Sequence, residues 1–373
     1  MKSALLAMAA LIVASGAAFA ASEPKKTLSA PVPSASDLQQ PATPVPSFRD
    51  MMLVKPWEAN QKAPPGDAET ADDEGPGDPN ADVAYGAYQR GLYRAAFDEA
   101  KKRAEATPPS AAAMTLLGQL YADGAGVARD PKQAARWYER AAAKGDREAM
   151  LQLGLLKLQG AEGARDLAGA SKLFEKAGAL GEPEALYNLA VIELQGQGRP
   201  QDFAAAAKHM KAAAELGEAQ AQYAYAVLLK EGQGVERDPA AAADWLKRAA
   251  AQDDIPAMVE YGIALFNGAG IDKDEAAAAQ LFRRAAERGN AIAQNRLARL
   301  YAHGRGLDRD PARAAAWHQL ARRQGLGDAW LDGFVASLPA ADREAADKLA
   351  AKWSEGFGPI AQGATAEADA PKP

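Results

Sequence analysis

The chain has 373 residues, a formal net charge of −6 and no cysteine, which excludes disulfides, thiolate metal sites and a cysteine nucleophile. An acidic balance of this kind supplies no overall basic field for nucleic acid. Hydrophobic residues make up 48% of the chain but aromatics only 7%, and an alanine-rich, aromatic-poor core suits closely packed helices.

Residues 1–20 carry Lys2, an apolar run from Ala4 to Ala14, and the small-residue ending Ala18-Phe19-Ala20. This reads as a secretory signal peptide cleaved after Ala20. The run is shorter than the ~20 residues needed to span hydrocarbon, so the expectation is a periplasmic or secreted bacterial protein with no transmembrane anchor after cleavage. An uncleaved anchor is the other reading. Residues 21–80 hold eleven prolines and the acidic run "DAETADDEGPGDPNAD". Such composition predicts a disordered linker. Its apolar island, Phe48 to Glu58, is either a docking motif or a segment that folds back on its own protein. Residues 81–108 read as a capping helical hairpin that turns near Gly91.

A repeat of 36 residues follows. Gly124, Gly160, Gly196, Gly232, Gly268 and Gly304 stand in one column, and Asp130, Asp166, Asp202, Asp238, Asp274 and Asp310 in another. Alanine recurs at 113, 149, 185, 221, 257, 293 and 329, and again at 134, 170, 206, 242, 278 and 314; Leu or Tyr stands at 117, 153, 189, 225, 261 and 297. A period of this length signals stacked supersecondary units. Each unit reads as two helices, in the first about Ala111 to Ala122 (helix A) and Pro131 to Lys144 (helix B). The glycine pair Gly124 and Gly126 precedes a helix and so invites a phosphate-loop reading. Six copies in register, with no P-loop lysine, favour punctuation instead. Glycine ends helix A where φ turns positive, and aspartate starts helix B by accepting from free backbone N–H groups.

The motif Leu117-Gly118, Tyr121, Gly124, Gly126, Val127, Asp130, Ala134, Trp137-Tyr138, Ala141-Ala142 and Gly145 resembles the Sel-one-like repeat family, a relative of tetratricopeptide repeats. The resemblance covers 109–325 and implies an all-α fold: an α-solenoid, a right-handed superhelix of about six helix-turn-helix repeats. Residues 326–356 are read as C-terminal capping helices and 357–373 as a flexible tail. The second and third units depart most, with Glu162 at the second glycine and Leu173 and His209 at the tryptophan, and are expected to be less regular.

Chemistry-bearing constellations are sparse. His209 and His318 sit in columns held by Trp137 and Tyr138, so they read as packed residues; His303 lies near a helix A end without a third ligand at a useful spacing. Serines in the repeats form no nucleophile elbow or Ser-x-x-Lys pair, and the aspartates are occupied as caps. The expectation is a non-enzymatic monomer with no cofactor and no metal. On helix A, position 116 varies down the rows as Leu116, Gln152, Asn188, Ala224, Glu260 and Arg296. The column beginning at Asp123 is polar and includes Gln195 and Asn267. Leu155, Val191, Val227 and Ile263 lie between these columns, either as a groove floor or as packing between repeats. In tetratricopeptide-like arrays helix A lines the concave face, and a polar rim over an apolar floor suits an extended peptide. Gln152, Asn188, Glu260, Arg296, Gln195 and Asn267 are therefore the expected partner-binding residues. The resemblance implies an envelope adaptor that binds a protein or peptide, in signalling, exopolysaccharide regulation or secretion. The alternatives are peptidoglycan association, or a β-lactamase or penicillin-binding activity as in the cysteine-rich secreted branch of the family.

Overall fold

A computed structural model describes residues 83–356 except Glu162. The expected signal peptide, the expected linker with its 48–58 island, and the tail 357–373 lie outside the described residues. What is described contains sixteen helices and no strand, an all-α solenoid. A hairpin of α1 (Val83–Gln89) and α2 (Tyr93–Ala104) precedes six helix pairs: α3 (Ala111–Asp123) with α4 (Pro131–Ala142), α5 (Arg147–Gln159) with α6 (Leu167–Ala179), and α7 (Pro183–Gln195) with α8 (Phe203–Glu215). The others are α9 (Ala219–Glu231) with α10 (Pro239–Ala251), α11 (Ile255–Asn267) with α12 (Glu275–Glu287), and α13 (Ala291–His303) with α14 (Pro311–Arg323). Two helices, α15 (Ala329–Ser337) and α16 (Ala340–Gly356), close the array. None of the described helices is long and apolar enough to cross a membrane.

The repeated glycine and aspartate do the work their columns predict. Each helix A stops on a left-handed glycine, with φ between 65° at Gly196 and 74° at Gly124. Each aspartate is used twice. Its carboxylate accepts from the first free amides of helix B, as Asp130 does from Lys132 and Gln133 at 3.0 and 3.1 Å. Its own N–H donates back to helix A, as Asp130 does to the Tyr121 carbonyl at 2.9 Å. The residue before it adds a third tie that the sequence reading overlooked. Arg129, Arg165, Arg237 and Arg309 each donate from Nε to a carbonyl seven residues back, at 2.7–3.1 Å.

The second glycine of the pair has a different task. A Cβ on Gly126 would lie 2.6 Å from the Tyr93 carbonyl carbon, and one on Gly198 2.5 Å from the Leu167 side chain. On Gly234, Gly270 or Gly306 it would fall on the carbonyl oxygens of Phe203, Pro239 or Glu275. Every one of these is the first residue of an earlier helix B. In five of the six units the loop thus rests on the start of an earlier helix, helix B of the preceding unit for units three to six and α2 for the first unit.

Helices pack mainly on their chain neighbours, A on B within a unit and B on the next A. The alanine columns are sealed: Ala113, Ala149, Ala185, Ala221, Ala257 and Ala293 are at most 2% exposed. Ala329 departs from its column. It is exposed at the start of α15, because Asp328 caps that helix two residues late in the register and Leu331 takes the buried place.

Ring size and backbone approach match row by row. Where helix B presents Tyr138, Phe174 or Phe282, helix A has Gly118, Gly154 or Gly262, and a Cβ there would lie 2.5, 2.5 or 2.9 Å from the ring. Where helix B carries Met210, Leu246 or His318, helix A carries Ala190, Ala226 or Ala298. Gly262→Ala gains about 1 kcal/mol of helix propensity and incurs about 1–3 kcal/mol of overpacking. The expected net is a loss of about 1 kcal/mol, turning into a gain in a Phe282→Leu background. Urea denaturation of the four proteins reads this cycle, and strict additivity would contradict the matched packing.

Units two and three keep helices of 13 residues, so their departures from the motif do not shorten the fold. The departures appear in the core, which breaks there into separate clusters: one ending at Leu153, a small one around Phe174 and Ile192, and one running from Leu186 to Ala350.

Candidate functional site

The open parts of helices A form the candidate surface. Asn267 is exposed, while Gln152, Gln195 and Arg296 are half-buried. Gln152 donates its amide to the Glu148 carboxylate at 2.8 Å. Arg296 has its pKa lowered by burial and by neighbouring Arg299. Two residues expected on this surface are withdrawn from it: Asn188 is 6% exposed and Glu260 7%. Asn188 donates to the Glu184 carbonyl of its own helix at 2.8 Å, and Glu260 is held by Lys230 of the preceding unit at 2.8 Å. Position 116 does not stay open in these units because Asn188 folds back onto its own helix and the Lys230 side chain covers Glu260. The apolar line divides in the same way. Val191 and Val227 are buried packing residues at 1% and 4% exposure, while Leu155 and Ile263 remain partly open.

An acidic rim, which the sequence reading did not single out, borders this surface at the N-terminal ends of α5, α7 and α9. It comprises Glu148, Glu182, Glu184 and Glu218. At the N-cap position Ser110, Asp146, Asp254 and Asn290 each accept from the amide three residues on. Glu182 and Glu218 occupy the same column and make no side-chain cap. Removal from bulk water, followed by the carboxylates of Glu148, Glu218 and Glu182, pushes the Glu184 carboxyl up to about 7. A raised folded-state pKa means that the folded chain is favoured below the ordinary carboxylate range and loses that advantage as pH rises through 7. Glu184→Gln is therefore expected to raise the melting temperature at about pH 8 and leave it unchanged at about pH 4. A thermal scan at both values checks it, and equal shifts would remove the electrostatic cause.

A second polar feature replaces a hydrophobic contact. In the other units position 121 and its equivalents carry Tyr, Lys or Leu, position 137 Trp or Leu, and position 127 mostly Val, Ile or Leu. The third unit substitutes Glu193, His209 and Arg199 together. Glu193 is 1% exposed and lies 2.8 Å from His209 Nδ1 and 3.2 Å from Arg199. Arg199 also donates to Ser171 of the preceding unit at 3.2 Å. Three columns broken at once in one row was the signal available in the sequence.

The C-terminal end is closed by a buried ion pair. Arg299 donates to Asp328 at 2.7 and 2.9 Å, and Asn295 adds a bond of 2.9 Å. His303 stacks on Trp330 at 4.5 Å, and His318, 2% exposed, bonds Asp332 at 2.8 Å. On the other side Trp317 stacks on Trp353 of α16 at 4.4 Å.

Comparison with known proteins accords with this geometry. Among curated proteins none matches the chain. The crystal structure of c5321, described as a protective antigen present in uropathogenic Escherichia coli strains displaying an SLR fold, is 27% identical with a TM-score of 0.68. That match covers 78% of this chain and 63% of the other, so this chain spans less than two thirds of that protein's length. A Sel1 repeat protein from Oxalobacter formigenes is 25% identical with a TM-score of 0.56, covering 65% of this chain and 97% of the other. The Sel1 repeat model matches six times without a gap, at 111–146, 147–182, 183–218, 219–254, 255–290 and 291–326. With those six units over more than half its length, the chain belongs to the Sel1 repeat family.

Proposed function

We propose that this chain is a protein-interaction scaffold of the bacterial envelope that holds a partner segment along the open face of its helices A. Proteins built from Sel1 repeats serve as protein–protein interaction scaffolds. One observation supports the finer reading: the alanine columns that seal the stack are invariant, while the open A positions carry polar side chains, carboxamides at Gln152, Gln195 and Asn267 and a guanidinium at Arg296. A row of side-chain donors and acceptors repeated along the stack suits hydrogen bonding to an extended peptide. The test places a photo-crosslinking amino acid at Gln195 or Asn267, and as a control at exposed Lys247 on α10, in cells producing the exported chain. Adducts of one mass from both A positions and none from Lys247 are expected. Adducts from Lys247 alone, or from none of the three, would reject the A face. Localisation is read separately, from the mass of the protein in envelope fractions, which should begin at Ala21.

A further inference from the structure

The net charge of −6 conceals a segregation that the helices make visible. Residues 67–82 contain seven carboxylates, Asp67, Glu69, Asp72, Asp73, Glu74, Asp78 and Asp82, and no lysine or arginine. These seven outweigh the whole net charge, so the remainder of the chain is not acidic at all. Within the array the two helices of each unit differ. The helix A side carries the carboxylate rim around Glu148, Glu184 and Glu218, where burial and then the neighbouring like charges raise the Glu184 pKa. Helices B of the first three units carry exposed cations: Arg136, Lys172 and Lys208 stand in register on α4, α6 and α8, and Arg140, Lys176 and Lys211 follow one turn on. Against these stand single acids, Glu139, Glu175 and Glu215, on the same helices. Lys211 approaches Glu215 at 3.7 Å and Arg140 lies over the Trp137 ring. Arg136, Lys172, Lys176 and Lys208 make no ion pair among the described residues.

We infer that the acidic segment 67–82 docks, within its own chain, on this cationic face of α4, α6 and α8. Three physical arguments converge on that occupant. Charge complementarity selects the B side, because the acidic rim of the A side repels the segment. Reach is sufficient: sixteen residues extend to about 53 Å, and the path from α1 through α2, α4 and α6 to α8 takes four helix-to-helix steps of about 10 Å each. Attachment is immediate, since Asp82 precedes α1 directly. A tether that short holds the segment at an effective concentration on the order of millimolar, so an anion arriving from solution must displace it. The docked segment would shield the cationic face and make access to it sensitive to salt.

Carbodiimide coupling in the full chain tests this, because it joins a carboxylate to a lysine only when the two touch. At about 20 mM salt the expected products are intrachain links from 67–82 to Lys172, Lys176, Lys208 or Lys211. At about 500 mM, where screening cuts the range of charge to about 4 Å, they should fall at least fivefold. Links absent at low salt, spread equally onto Lys157, Lys230 and Lys348, insensitive to salt, or formed between chains would overturn the inference. A second arm uses a variant with all seven acids changed to their amides, confirmed as helical by circular dichroism. A fluorescent polyglutamate peptide should bind that variant about tenfold more tightly than the parent at low salt, and equal binding would overturn the proposal independently.

Discussion

Asp328→Ala is expected to destabilise the C-terminal end of the array by about 5 kcal/mol. The carboxylate is almost fully enclosed, at 2% side-chain exposure against 9% for Arg299. Burial opposes its ionisation, but the bonds from Arg299, Asn295 and the Leu331 amide outweigh that term and hold its pKa below the usual carboxylate range. Removing one member of a buried pair strands the other charge, at about 3–5 kcal/mol, and the lost cap of α15 adds about 1 kcal/mol. Stability in a solenoid is passed between neighbours, so the damage should spread inward from the end. Hydrogen exchange should accelerate across α13 to α16 and remain unchanged in α3 to α8. Protection lost evenly along the chain would show that the pair is not an end clamp. Its lowered pKa supplies stability above the ordinary Asp range and loses it as pH falls through the folded-state value, so parent and variant should converge in acid.

Gly306→Ala is the second large effect, at about 2–4 kcal/mol. The residue has φ +70°, and alanine in the left-handed region costs about 1–2 kcal/mol. Its Cβ would also strike the Glu275 carbonyl at the start of α12, and forcing apart a packed contact costs about 1–3 kcal/mol. Arg305 fastens the same loop to Glu275, whose carboxyl its guanidinium holds at about 2. Gly289→Ala is the control, with φ +83° and nothing within 4 Å of the added carbon, so backbone strain alone leaves about 1 kcal/mol. Denaturant midpoints of the two variants measure the difference. If they coincide, the contact between units contributes nothing.

Both glycines look alike in the sequence, which shows where legibility stops. The helix stops at Gly124 and its equivalents, and the starts at Asp130 and its equivalents, answer local backbone demands, so spacing alone reveals them. Gly126 and Gly306 answer to a helix start some thirty residues earlier, and that demand exists only once the units are stacked. The burial of Asn188 and Glu260 was hidden in the sequence for the same reason. Gln152 and Glu260 share a column, but Glu260 is covered by Lys230 while Gln152 stays half open. Ala329 shows the opposite hazard, a column continued in spelling after the structure has left the register. His209 was read as packed from its tryptophan column. Its partner Glu193 became visible only with the fold, although the joint loss of three apolar columns in one row had marked the place.

Interior junctions are chemically interchangeable, since Gly234 meets Phe203, Gly270 meets Pro239 and Gly306 meets Glu275 through the same backbone approach. The number of units is thus a variable that the architecture leaves free, and whole rows can in principle be added or excised without redesigning what they abut. The seam between rows two and three is different, because there Arg199 ties to the Ser171 hydroxyl, whereas the comparable tie between rows five and six joins Arg305 to a carboxylate, Glu275. A transplanted row would not find its match there, which makes that seam the address by which the array's order can be told.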